Sequence, residues 1–265
     1  MMGRTHALTG WAAASLALPL LSVTDLRLVV AVPLAAAGAT LLPDLDSSSS
    51  TMSRSLGPVS GVLSRAVRWC SARVWAVTAT RYDRKDPRSD IGHRHLTHTV
   101  PACVVFGVVA WLAVVGVGAG LGRVVPQVPG QVLGAVAAGL VCGALAVPAA
   151  RYVLQAVPGV GFRDAARGAP VVGVVVAVLA GWGQVHPVVV GVVVGVGALV
   201  GVLGDWFTSH GVPLLWPVVF KGKRWWMHRF VWTFATDEDS RAEKVVRRVC
   251  GFAGVASWVL LVSVW

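Results

Sequence analysis

Residues 100–121 read VPACVVFGVVAWLAVVGVGAGL, a run without one charged side chain. A helix needs about 20 mostly apolar residues to cross a bilayer core, and this run is long enough alone. The stretch just before it, IGHRHLTHT at 91–99, is its opposite, with three histidines and an arginine in one short loop. The same contrast recurs along the chain. Gly130–Ala150 and Val185–Gly204 are equally apolar, and Ala7–Leu21, Leu26–Leu42, Pro170–Gly183 and Cys250–Trp265 are shorter runs of the same kind. Over all 265 residues only 13% are charged, about half the share usual in soluble domains, and the mean hydropathy is +0.71. The expected fold is all-α, a polytopic integral membrane protein of about seven transmembrane helices with its metal-site loops in the cytoplasm. Arg4 and the apolar run after it resemble a secretory leader only superficially. A second apolar run follows at once after Val23-Thr24-Asp25, so a retained helical hairpin is expected.

The net charge is +11, and every Lys and Arg except Arg27 and Arg123 falls at residue 4 or within 47–99, 151–169 and 205–249. A seven-span layout puts all of those on one side. The positive-inside rule makes that side cytoplasmic, with the N-terminus there too. The basic balance is thereby accounted for by membrane topology and anionic headgroups, and nucleic acid is not expected as a partner. Cys70, Cys103, Cys142 and Cys250 form no Cys-x-x-Cys pair and read as small hydrophobes.

The loops carry their own signals. Val62–Val77 mixes Arg65, Arg68 and Arg73 with Trp69 and Trp75, which suits either a helix lying in the membrane interface or a cytoplasmic helix packed on the bundle. Trp225, Trp226, Phe230 and Trp232 stand among Lys223, Arg224 and Arg229, as in an aromatic belt with basic anchors. Ser240-Arg241-Ala242-Glu243 has the spacing of a capping box at the start of a last helix. Glycine pairs four apart (130/134, 139/143, 191/195 and 197/201) are spaced for close helix packing in lipid.

Metal-capable side chains lie at the cytoplasmic ends of the expected helices. His6 precedes the first, Asp44 and Asp46 follow the second, His93, His95 and His98 precede the third, and Asp205 follows the sixth. Each has a plainer use alone: a surface histidine, a helix end or a cap. Together they bring imidazole and carboxylate from four separate helix ends to one membrane face. Such a mixed set suits zinc, with manganese or iron as alternatives, better than calcium or magnesium. Paired carboxylates also suit two-metal phosphoester chemistry. Arg94 can contact two phosphate oxygens at once, and Thr97 and Thr99 can cap the next helix or bond a ligand carboxylate. His186 falls on the outer side and is set apart, while His210 and His228 read as loop histidines.

Thr5-His6, Leu41-Leu42-Pro43-Asp44-Leu45-Asp46, Gly92-His93-Arg94 through Thr97-His98-Thr99, and Asp205, Thr208 and Gly211 through Pro217 resemble the LexA-regulated, membrane-bound, metal-dependent hydrolases, the YdjM-like family. The resemblance spans roughly residues 5–217. It implies an inner-membrane hydrolase with His6, Asp44, Asp46, His93, His98 and Asp205 as metal ligands. By likeness to phospholipase C-type zinc enzymes, it implies a phospholipid or other phosphoester substrate at the lipid bilayer. Arg94 and His95 are the candidate catalytic residues, Arg94 as anion binder. Residues 1–220 are expected to form the membrane-embedded hydrolase-like unit, and 221–265 a basic aromatic interfacial segment with the final helix. The chain departs from the family pattern at His95, where glycine is usual, at Ser47, where histidine is common, and at Gly201, where a histidine one turn before Asp205 is usual. Restoring histidine at 201 is expected to raise metal occupancy, unless His95 or His210 already substitutes. The rival readings are a metal-binding protein without catalysis and a transporter. The transporter would need ionisable groups inside the spans, and almost none occur there.

Overall fold

The structure is a computed structural model that describes residues 2–86, 94–155, 159–233 and 240–263. Among these the architecture is all-helical, without a named strand. The order is α1 (Gly3–Leu20), α2 (Leu26–Ala39), a 3-10 turn (Leu42–Asp46), α3 (Thr51–Arg54), α4 (Pro58–Thr78), a second 3-10 turn (Leu96–His98), α5 (Val100–Val124), α6 (Gly130–Gln155), α7 (Phe162–Trp182), α8 (Pro187–Trp206) and α9 (Arg241–Ser263).

Among the described residues five stretches are long and apolar enough to cross a membrane: Leu26–Asp46, Val100–Val124, Gly130–Gln155, Phe162–Trp182 and Pro187–Trp206. α1 and α9 fall outside that group. The basic stretch 151–169, expected as a loop, is helical over most of its described length, because α6 continues to Gln155 and α7 already begins at Phe162.

Local chemistry sets the helix ends. The Asp25 side chain accepts from the Arg27 amide at 2.8 Å and starts α2. The Thr99 hydroxyl accepts from the Ala102 amide at 3.2 Å and starts α5, with Pro101 in the first turn, where its missing N–H costs nothing. His186 does the same for α8 through the Val188 amide.

α2 packs against α1, α6, α7 and α8. Its Ala-rich sequence permits this, since small side chains let neighbouring backbones approach where lipid offers no hydrophobic drive between helices. Three of the four glycine pairs sit at such contacts: 139/143 against α7, 191/195 against α5 and 197/201 against α2. Gly130 and Gly134 face open space.

α4 turns Ser60, Ser64, Ser71 and Trp75 inward and leaves Val62, Leu63, Trp69 and Val77 exposed beside its arginines. An outward face of apolar and cationic side chains suits the membrane interface more than a cytoplasmic surface. The belt reading of 225–232 needs correction at Trp225. Trp232 is 82% exposed but Trp225 only 1%. The Asp83 carboxylate accepts from the Thr80, Arg224 and Trp225 amides at 2.8, 3.1 and 3.0 Å, which draws Trp225 inward. Its indole N–H donates to Thr78 at 3.0 Å.

Candidate metal centre

Four elements deliver polar side chains to one buried place: the first turn of α1, the 3-10 turn after α2, the 3-10 turn before α5 and the last turn of α8. Asp205 is the hub. Its Oδ2 lies 3.2 Å from His98 Nε2. Its Oδ1 lies 3.4 Å from His6 Nε2 and 3.0 Å from Arg94 Nη2. Asp44 Oδ1 stands 3.9 Å from His98 Nε2. Ligand atoms of Asp44, His98 and Asp205 all lie within 4.8 Å of one another. The side chains of His98, Asp205 and His6 are at most 2% exposed, and Asp44 is the open side at 19%.

Asp46 occupies a different place. Its Oδ2 is 3.7 Å from His98 Nδ1, behind the imidazole. The same oxygen accepts from the Thr97 hydroxyl at 2.7 Å and the Arg94 amide at 3.1 Å. Thr97 Oγ1 and His98 Nδ1 are 3.0 Å apart. Since the Thr97 proton is committed to Asp46, its oxygen accepts from Nδ1–H. That bond fixes the ring and turns Nε2 toward Asp205 and Asp44. This is the support that metal-bound histidines usually have.

The residues fit a divalent cation. An imidazole nitrogen and two carboxylates converge there, the donor types that such an ion takes. Donors placed around a tetrahedral ion at 2.0–2.2 Å stand roughly 3.4 Å apart, and the distances from His98 and His6 to the carboxylates run from 3.2 to 3.9 Å. His6 Nδ1 is buried with no hydrogen-bond partner among the described residues.

The remaining expected site residues fall as follows. His93 lies outside the described residues. His95 is buried with its ring edge-on to Trp225, centroids 5.8 Å apart. Arg94 holds Asp205 and donates from Nη1 to Thr208 at 2.8 Å. Its φ of +79° is uncommon for a non-glycine residue and costs about 1–3 kcal/mol. The Asp46, Asp205 and Thr208 bonds hold it there. His228 accepts from the Trp206 indole at 2.7 Å, a structural role.

Gly201 is a correction. A Cβ there would run into the Thr40 carbonyl oxygen, because α8 and α2 meet at that point. A histidine side chain at 201 would therefore have to part α8 and α2 before it could add a ligand.

Sequence reasoning missed Glu243. It is fully buried, and its carboxylate accepts from the Met2 amide at 3.0 Å and from the Thr5 hydroxyl. The Glu243 amide does donate to Ser240 at 3.2 Å, as a capping box requires. The carboxylate, however, goes to the start of α1, beside His6. No local pattern announces that partner.

The fold and the site define a polytopic helical membrane protein with a buried His/Asp cluster at one end of its bundle. The chain belongs to the YdjM inner membrane protein family, whose model matches residues 1–264. No curated protein and no solved structure matches it.

Proposed function

We propose that this protein is a metal-dependent hydrolase that cleaves a phosphoester at the cytoplasmic face of the inner membrane. The observation carrying this is the meeting of Asp44, His98 and Asp205 within 4.8 Å, with His98 Nε2 turned toward both carboxylates by the Thr97 and Asp46 contacts on its other nitrogen. A bound divalent cation, zinc by this donor set, lowers the pKa of water and stabilises a developing oxyanion. The chain's own residues do the rest. Asp46 and Thr97 orient His98. Arg94 and His6 hold one oxygen of Asp205, so the other faces His98. Asp44, the most exposed of the cluster, marks the side from which a substrate headgroup enters. Arg94 has five N–H donors, and those not spent on Asp205 and Thr208 serve a phosphate oxygen. In this reading α1 and α9 complete a seven-span bundle with a cytoplasmic N-terminus, as the distribution of Lys and Arg supports.

The test is elemental analysis of the detergent-purified chain, followed by turnover of bis(p-nitrophenyl) phosphate with and without chelator. Stoichiometric metal and chelator-sensitive turnover are expected. Gly201 favours a second reading, a metal-binding protein without catalysis, because the family's usual histidine is absent and its space is filled. Metal without turnover would select that reading. Absence of metal would refute both.

A further inference from the structure

α1 begins without a cap of its own. Met2 precedes the helix with no side-chain hydrogen bond to it, and no acidic residue lies in the first turn. In a capping box the third helical residue is a Glu or Gln whose side chain accepts from the amide of the cap residue. The third residue of α1 is Thr5, and the carboxylate comes from α9 instead. Glu243, itself the third residue of α9, accepts from the Met2 amide with one oxygen at 3.0 Å and from the Thr5 hydroxyl with the other. Glu243 and Thr5 are both fully buried. His6 is the next residue. Its carbonyl lies 2.9 Å from the Thr40 hydroxyl, which it shares with the Ala37 carbonyl at the end of α2, and its Nε2 faces Asp205 at 3.4 Å. The turn bearing His6 is thus held from two sides, by Thr40 from α2 and by Glu243 from the last helix. A helix end without such partners frays, whereas a metal centre needs its groups held to within about 0.5 Å.

We propose that Glu243 is a positioning residue of the metal centre: from α9 it caps α1 and so sets His6 against Asp205. The inference rests on reading the Asp44–His98–Asp205 cluster as a metal centre. Docking of α9 on α1 has contacts of its own at the other end of the pair. There the Ser257 hydroxyl donates to the Ser15 carbonyl, and the Trp258 indole to the Ser15 hydroxyl at 3.1 Å. Ser15 lies about 14 Å along α1 from His6 at the helical rise. A carboxyl group is costly to bury, and serine bonds and apolar contacts would dock α9 without one. What the carboxyl adds is two acceptor oxygens, which take the cap amide and the Thr5 hydroxyl together.

The test is metal binding by the detergent-purified full chain, stripped with chelator. Zinc is titrated against a chromogenic chelator, and cobalt(II) is added separately, since it takes the same donors and reports them by visible absorption. Glu243→Ala should weaken zinc binding by about 10–100-fold, as loss of an outer-shell partner does, and shift the cobalt spectrum toward that of His6→Ala. Combined with His6→Ala it should add no further loss, because both changes act through one contact. Glu243→Gln should restore binding close to wild type: its oxygen still accepts from the Met2 amide, and its NH2 donates to the Thr5 oxygen. Ser257→Ala loosens the same helix pair far from His6 and should lower the melting temperature with zinc affinity and cobalt spectrum unchanged. Thr5→Val removes half of the Glu243 contact and decides the matter if Glu243→Ala does not fold. Wild-type affinity and spectrum in Glu243→Ala, an equal loss of affinity in Ser257→Ala, or additive losses in the double variant would each overturn the inference. A wild type that takes up neither metal would refute the metal centre itself, and the inference with it, before any variant is compared.

Discussion

His98 Nε2 and Asp205 Oδ2 lie 3.2 Å apart, both nearly sealed from solvent, although they come from the start of α5 and the end of α8. The pair joins helix ends from opposite halves of the chain, and any function of the buried cluster passes through it.

Replacing either partner should remove metal from the protein. His98→Ala and Asp205→Asn are each expected to weaken binding by at least about 100-fold, more than loss of an outer-shell partner. Elemental analysis after desalting, with size-exclusion chromatography as folding control, reads the effect. Unchanged metal in both variants would rule these residues out as ligands.

Asp46 separates two roles. It touches the Nδ1 side of His98, so Asp46→Asn and Thr97→Val should weaken metal binding by about 10–100-fold without abolishing it. Competition against a chromogenic chelator measures this range. A complete loss in Asp46→Asn would make it a direct ligand.

At Gly201 the outcome should run against the motif. Gly201→Ala is expected to cost roughly 1–3 kcal/mol by overpacking, and Gly201→His to lose folded protein without gaining metal. Thermal unfolding in detergent checks it. A histidine variant with unaltered melting and more bound metal would show that α2 and α8 can part.

Asp83 anchors 221–233. Asp83→Ala strands the amides of Thr80, Arg224 and Trp225, at about 1–3 kcal/mol for each donor that stays buried. Limited proteolysis should cut this segment faster, and Trp225 fluorescence should shift to the red. Wild-type resistance in the variant would mean the segment is held by its aromatic contacts alone.

Metal removal should lower stability by linkage, by about 2.7 kcal/mol where the ion had been present at 100 times its dissociation constant. A melting temperature indifferent to chelator and to added zinc would argue against a folded-state metal site.

Much of the molecule is legible in the chain because membrane spans are set by local composition. The runs at Leu26, Val100, Gly130 and Val185 begin at, or within two residues of, the helices α2, α5, α6 and α8. The gathering of His6, Asp44, His98 and Asp205 at one end follows from counting helix ends. The inward turn of Trp225 was not legible, since it depends on an acidic hub at Asp83 far away in sequence. Nor was the diversion of the Glu243 carboxylate from its own helix cap to α1.

The amino-acid sequence by itself determined the helical membrane class, the family and the residue types at the cluster, because hydrophobic run length and motif order are properties of neighbouring residues. Only the tertiary structure decided which face of each side chain is used. It put Asp44 and Asp205 before His98 Nε2 and Asp46 behind Nδ1, and it closed Gly201 against Thr40. Those outcomes depend on helix rotation and on how closely backbones approach, which small-residue contacts between distant segments set.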